Sequence, residues 1–489
     1  MSEYRVTTFD IWALSITISA QSLSIWQLGY TAGFASYTIA TILVGIAYVC
    51  LVCSLGELMS ALPFAGGAYG LARCTLGFAA GFLVAVCEVI EYIVYSATAM
   101  VSFTSILVFF EPSVLAYEPL IWAALYAMFF TIYVHGGSWF WHANILTAVA
   151  CLLVTVVWLL GSIQFLNYEA TLTPSVLFVG GMPGFLKALP DATGLFLGVE
   201  AVSTAADEVE NPRGLIPTGQ RWGIYTLFVT GLLSVVYCGG LPPGILGIPN
   251  VWTTTDSGFM AMFGGVSEES VVLLALPGAL STAFGFIFAY TKLLTALSKS
   301  RLLPPVVHRP FLRSRAPVVA LTMGATATYA ICLVVYYVPV VNDYVFDVCC
   351  LSAMTAYITQ CYGYIYVKRH FPHLQRGYTS PFGVPGAVFS MSVWLLVIVS
   401  VAGFQDDDGV AVAGYLAIVV AGLGYYHAYG KRRQSFSDEE KVLFITHVAK
   451  FNAAKKYKTT KIKVKSNPST AQSTRTKVAA STTDDTVHS

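Results

Sequence analysis

The sequence predicts an all-α, polytopic membrane protein with about twelve transmembrane helices. Three observations carry that expectation: too few charges to cover a soluble surface, a long series of apolar segments, and a strict alternation of basic and non-basic loops. Of 489 residues, 56% are hydrophobic and only 11% charged, and the mean hydropathy is +0.68. A soluble domain carries about 25% charged residues, whereas a bundle facing hydrocarbon needs none on its outer surface. Aromatics at 14% fit the same class, because Trp and Tyr gather at headgroup level. The formal net charge of +1 says nothing about partners until its distribution is read; the lipid bilayer is an expected partner and nucleic acid is not.

A helix needs roughly 20 apolar residues to cross the hydrocarbon core. Segments of that kind run over residues 11–32, 38–59, 77–107, 119–134, 143–163 and 186–207 in the first half. The second half continues with 222–240, 271–297, 318–338, 345–367, 387–403 and 410–429. Gly29, Gly33 and Ser36 mark the turn that separates the first two.

Lysine and arginine are retained on the cytoplasmic side of a membrane, and here they occupy every second loop. Arg73 follows span two, Arg213 and Arg221 follow span six, Lys299 to Arg315 follow span eight, and Lys368, Arg369 and Arg376 follow span ten. The tail begins Lys431-Arg432-Arg433, and the intervening loops are neutral or acidic. Both termini are therefore expected in the cytoplasm, in a multi-pass protein of the plasma membrane. Residues 1–433 form the expected membrane domain, and 434–489 a cytoplasmic tail with a short amphipathic segment followed by a disordered stretch. The Lys-rich run at 455–465 is a solvated tail or a contact for anionic headgroups.

Ten cysteines could form a disulfide framework, but most lie inside apolar runs and behave as small hydrophobes. No cleavable signal peptide is expected, since the first apolar stretch is long and lacks a basic flank. His135 and His142 flank one turn without a third ligand, so no metal site is expected. No cofactor is expected, and with neither a nucleophile motif nor a phosphate-binding glycine loop, an enzyme is not expected either.

Three stretches break the apolar rule inside spans. The first is Ser19-Ala20-Gln21-Ser22-Leu23-Ser24, whose polar groups must face protein, water or a solute. The alternative is close helix packing through small residues. The second is Gly194-Leu195-Phe196-Leu197-Gly198-Val199-Glu200, where two glycines bracket an apolar triplet and a carboxylate follows. An intramembrane carboxylate marks a functional site by default, and paired breaks in equivalent spans point to a solute site. The third is span three, where Glu88 and Glu91 lie near one face by their i, i+3 spacing. Glu91 either meets a cation or proton or forms a structural hydrogen bond.

At these residues the chain resembles the amino acid–polyamine–organocation superfamily of permeases, and within it the ethanolamine and amino acid permease branch. The motif from Ser54-Leu55-Gly56-Glu57 through Pro63-Phe64-Ala65-Gly66-Gly67-Ala68-Tyr69 to Ala72-Arg73 is similar to the family's signature between spans two and three. Further matches run from Phe196 to Glu200, through Glu210-Asn211-Pro212-Arg213, at Leu302-Leu303-Pro304-Pro305 and at Ser380-Pro381-Phe382-Gly383. The resemblance implies a five-plus-five inverted repeat with helices one and six broken, and spans eleven and twelve outside it.

Carried over by position, the resemblance implies a substrate site of Ser19, Ala20, Gln21, Ser22 and Ser24 with Gly194, Phe196, Leu197 and Gly198. Glu91, Tyr92 and Ser96 would line it from span three, and Phe286 from span eight. Glu91 and Glu200 become the candidates for coupling or gating. The implied activity is secondary transport of an amino acid or small amine, ethanolamine or a polyamine included, with a proton or sodium ion as co-transported partner. A nutrient sensor on the same fold is the alternative. This sequence departs from the pattern at Ala20 and Ile25, where glycines are usual, at Gly194, where many relatives carry Trp, and near Cys151, where some carry Lys. The loop after span three lacks cysteine, so no disulfide-linked heavy chain is expected.

Overall fold

Apolar runs of this length become helices because only a helix satisfies every backbone group internally in hydrocarbon. The computed structural model describes residues 4–20, 26–64, 66–310, 316–437 and 440–441, and every regular element among them is helical. The chain divides into a body ending at Ser435 and a second unit starting at Phe436. In that second unit, the Ser437 and Glu440 side chains accept each other's backbone N–H. The expected amphipathic segment and the rest of the tail lie outside the described residues, as do Gln21, Ser22 and Ser24.

The first half of the body contains α1 (Thr8–Ser19), α2 (Phe34–Ala61), α3 (Gly67–Thr75), α4 (Phe78–Phe110), α5 (Glu118–His135), α6 (Gly137–Ser162) and α7 (Leu189–Gly194). A 3-10 segment, Val199–Asp207, follows. Then come α8 (Pro212–Gly240), α9 (Asp256–Phe263), α10 (Leu276–Lys299), α11 (Val318–Tyr337), α12 (Asn342–His370), α13 (Gly383–Gly403) and α14 (Val410–Tyr425). With its 28 residues, α2 is about 42 Å long at ~1.5 Å per residue, ample for a hydrocarbon core of about 30 Å. Among the described residues, nine helices are long and apolar enough to cross a membrane.

Three expected spans fall outside those nine, each for a physical reason. The first is the 12-residue α1 with a 3-10 segment, Gln27–Ala32, beyond it. The sixth is interrupted between Gly194 and Val199. The tenth, α12, is a continuous helix of 29 residues whose charge-free middle is made more polar by Gln360 and by Tyr357, Tyr362, Tyr364 and Tyr366.

Burial sorts the helices into an inner and an outer set. In α1, every residue from Ile11 to Ser19 except Trp12 is buried, and its neighbours are α6, α8, α10 and the Val199–Asp207 segment. Two glycines permit this. A Cβ on Gly223 of α8 would lie 2.2 Å from the Ser15 Cβ, and one on Gly285 of α10 would lie 2.8 Å from the Ile18 Cα, so only glycine admits α1 so closely. Around this centre, α2 packs on α8 and α13, and α4 on α10, α11 and α12. The outer helices expose aliphatic side chains: Leu146 and Leu160 on α6, Leu416 and Val420 on α14. That surface belongs in lipid, and the protein is an integral, multi-pass membrane protein.

Candidate functional site

Gly194 and Gly198 define the interruption. Helix α7 ends at Gly194, residues 195–198 form a turn, and Gly198 takes φ +88°, a left-handed conformation that glycine adopts without a Cβ penalty. An interruption in a span frees backbone groups that lipid cannot satisfy. Here four surrounding helices supply side chains for them. Tyr95 of α4 donates to the Gly194 carbonyl at 3.1 Å, and Ser19 of α1 donates to the Leu197 carbonyl at 3.1 Å. The Gly198 N–H donates to the Tyr357 hydroxyl of α12 at 3.2 Å, and Gln220 of α8 donates to the Val199 carbonyl at 3.0 Å.

The carboxylates of α4 serve different ends despite their shared face. Glu88 accepts the backbone N–H groups of Ala68 and Tyr69 at 2.7 and 3.1 Å, which fastens the first turn of α3. Glu91 accepts the Tyr357 hydroxyl at 2.6 Å through Oε1, and Glu200 accepts the Tyr92 hydroxyl at 3.2 Å through Oε1. Tyr357 thus links Glu91 to the Gly198 N–H, and Tyr92, one residue after Glu91 on α4, holds Glu200. Both carboxylates are buried, and the Oε2 atom of each has no hydrogen-bond partner among the described residues. A buried carboxylate with an unpartnered oxygen is costly unless a proton or cation meets it.

Aromatic rings close the surroundings. Phe286 of α10 lies against Tyr92 and Tyr95, with centroid separations of 5.9 and 5.0 Å. Phe196 meets Tyr48 of α2 at 5.5 Å, and Tyr48 meets Tyr357 at 5.6 Å. Ser19, Glu91, Ser96, Phe196, Leu197, Phe286 and Tyr357 are all buried, so the described residues around the interruption are shielded from solvent in this conformation.

Of the residues named from sequence, the structure brings together Ser19, Glu91, Tyr92, Phe196, Leu197, Gly198, Glu200 and Phe286. Gly194 bounds the turn, and Ser96 is buried further along α4. The Ala20 carbonyl accepts the Cys151 thiol at 3.5 Å. Sequence reasoning missed Tyr357, Tyr95, Tyr48 and Gln220. Their signal was weak: a phenol or amide inside a span, with nothing in the spacing to say which polar group it meets.

A second buried polar cluster was also missed as a cluster. Glu57 of α2 is ion-paired to Arg376 at 3.0 Å and Lys368 at 2.9 Å. It also accepts the Tyr364 hydroxyl and the Ser380 N–H at 2.7 and 2.9 Å. Lys292 of α10 pairs with both Asp207, at 2.8 Å, and Glu208, tying α10 to the end of the 3-10 segment.

Apolar helices around an interrupted span, with carboxylates buried beside the interruption, define a membrane transporter. The chain belongs to the amino acid permease family, which it matches over residues 21–441. It is similar to an uncharacterised transporter of Rhizobium meliloti, with 24% identity over 404 residues covering 76% of this chain and 81% of the relative. The amino-acid permease RocC of Bacillus subtilis is 22% identical over 446 residues, 86% of this chain and 91% of that protein. A methylthioribose transporter of the same organism is 24% identical over 339 residues, 61% of this chain and 71% of that protein.

Proposed function

We propose that this protein is a secondary active transporter of amino acids or small amines that works by alternating access. The observation that carries the reading is the pair of buried carboxylates, Glu91 and Glu200, held beside the interruption at 195–198 by Tyr357 and Tyr92. Between them the carboxylates would hold the solute's ammonium group, and a proton taken up by one would supply the coupling. In the closed state Ser19 and Tyr357 occupy backbone groups of the interruption; a solute's polar end would displace those bonds. Relatives named for amino acids and for methylthioribose support transport of small polar solutes. They leave the choice of solute to the site, where the two acids favour a cationic amine.

The fold reading goes with it. We take the chain to have twelve spans, with the first ten forming two inverted repeats of five and both termini in the cytoplasm of a plasma-membrane protein. Support comes from the packing: α1 touches the 3-10 half of span six, α2 touches α8, α4 touches α10, and α5 touches α11. Each of the first four spans thus meets the span five positions later, a pattern that two repeats packed about a two-fold axis produce.

Uptake of labelled ethanolamine and a panel of amino acids into proteoliposomes, with and without an inward proton gradient, tests the function. Gradient-stimulated accumulation lost in Glu91→Gln supports it. Solute binding detected by thermal shift, with no accumulation under any gradient, overturns transport and leaves a sensor on the same fold.

A further inference from the structure

Away from the interruption, the end of α10 and the end of the last helix converge on a second concavity. Its volume is about 660 Å³, and its lining includes Lys299, Arg301, His308, Arg309, Arg432 and Arg433. No acidic side chain lines it among the described residues. The two contributing segments are distant in sequence, yet the Tyr425 hydroxyl donates to the Leu302 carbonyl at 2.9 Å across 123 positions. The Ser435 N–H likewise donates to the Ser300 carbonyl at 3.0 Å. Retention of basic residues on one face of a membrane accounts for their presence in a loop. It does not account for two such segments, tied to each other, turning their cations toward one cavity.

The walls are built to hold this arrangement. Ser298 donates to the Pro304 carbonyl at 2.7 Å and is within 2.8 Å of His308 Nδ1, which fixes the loop against α10. Arg301 takes φ +58°, a conformation uncommon for a residue with a side chain. Tyr429 lines the cavity too, and Arg433 stacks over its ring at 4.6 Å. Burial, together with Lys299 and Arg309, holds the His308 imidazole below its usual range, as a strongly positive surrounding must. Both segments are ends of candidate membrane spans, Glu268–Lys299 and Val410–Arg433, so the cavity lies where two such spans end.

We propose that this cavity binds a polyphosphorylated anion of headgroup size, of the inositol phosphate type. The four arginines around one concavity, Arg301, Arg309, Arg432 and Arg433, match several phosphomonoesters rather than one carboxylate, and their planar forks suit phosphate oxygens. The volume falls in the range of small-molecule sites, about 300–1,000 Å³, and exceeds what a single phosphate needs. The same chemistry reaches the cavity from two sources, a bilayer phosphoinositide or a soluble inositol phosphate, and basic pockets at the ends of membrane helices take such headgroups.

The test is binding to the purified full-length chain, read as a ligand-induced rise in melting temperature, with no uptake assay involved. The probes are soluble inositol trisphosphate, inorganic phosphate, and nanodiscs of phosphatidylcholine with or without phosphatidylinositol bisphosphate. A saturable shift with inositol trisphosphate, far weaker with inorganic phosphate, is expected. Arg301→Gln, Arg309→Gln and Arg432→Gln should each weaken it about tenfold. A shift confined to phosphoinositide nanodiscs, lost in the same variants, supports the site with lipid as its source. Absence of any shift with all probes overturns the proposal. So does affinity left unchanged in the single variants, each of which is tested separately so that a poorly folding combination cannot blur the result.

Discussion

Tyr357 and Glu91 lie 266 positions apart and meet through a hydrogen bond of 2.6 Å. The same phenol oxygen receives the Gly198 N–H at 3.2 Å. One buried side chain therefore joins α4, α12 and the interruption of span six, and a hydrogen bond is stronger in such low-dielectric surroundings. Hydrogen bonds to a carboxylate are among the stronger ones in proteins.

Replacing Tyr357 by Phe removes both bonds and keeps the ring. Uptake into proteoliposomes should fall about tenfold or more, the cost of losing a bond to a charged or carboxyl partner. The protein should still elute as a monodisperse species, because Tyr48 and Trp394, at centroid separations of 5.6 Å each, continue to hold the ring.

Neutralising the acids should separate coupling from movement of the solute. In Glu91→Gln and Glu200→Gln, stimulation of uptake by an inward proton gradient is expected to disappear. Exchange of internal for external solute should persist in at least Glu200→Gln. Retained gradient dependence in both variants would remove these groups from the coupling step.

Gly198→Ala should be far more damaging than Gly194→Ala. At Gly198 an added Cβ would lie 2.3 Å from Phe286 Cζ and 2.8 Å from Ile18 Cγ2, with φ at +88°. The left-handed backbone costs about 1–2 kcal/mol, and overpacking adds about 1–3 kcal/mol. At Gly194 the nearest atom is Phe346 Cζ at 3.3 Å, and no left-handed backbone is involved. Melting curves of the two variants in detergent make the comparison directly.

Glu57→Gln should destabilise the body without touching the interruption. The change leaves Lys368 and Arg376 without their shared carboxylate. Breaking a buried pair costs about 3–5 kcal/mol, with the lower value expected because Lys368 is 28% exposed. A lowered melting temperature, with solute affinity unchanged, is the expected outcome.

Much of this architecture was legible in the sequence. Long apolar runs need no partner to become helices, so α2, α4, α6, α8 and α10 fall where hydropathy puts them. Gly194 and Gly198 marked the two ends of the interruption because glycine tolerates what other residues cannot. What could not be read was pairing. Glu88 and Glu91 share a face by spacing, yet one fastens α3 through Ala68 and Tyr69 while the other meets Tyr357, and only the fold decides which. Likewise, Glu57 carried a motif but gave no sign that Lys368 and Arg376 would come to it from the far end of the chain. Long-range polar contacts depend on which helices become neighbours, and local periodicity carries no record of that.

The enclosure of α1 has a consequence for biosynthesis. At 12 residues, α1 is about 18 Å long, too short by itself for the roughly 30 Å of hydrocarbon that a nascent segment must cross. The surfaces that receive it belong to α6, α8 and α10, and the last of these begins only at Leu276. Helix α1 must therefore wait until the chain through α10 has been synthesised before its final seat exists. Ribosome-bound intermediates truncated before α10 should leave Ser15 and Ile18 open to cross-linking, and extension through Lys299 should protect them.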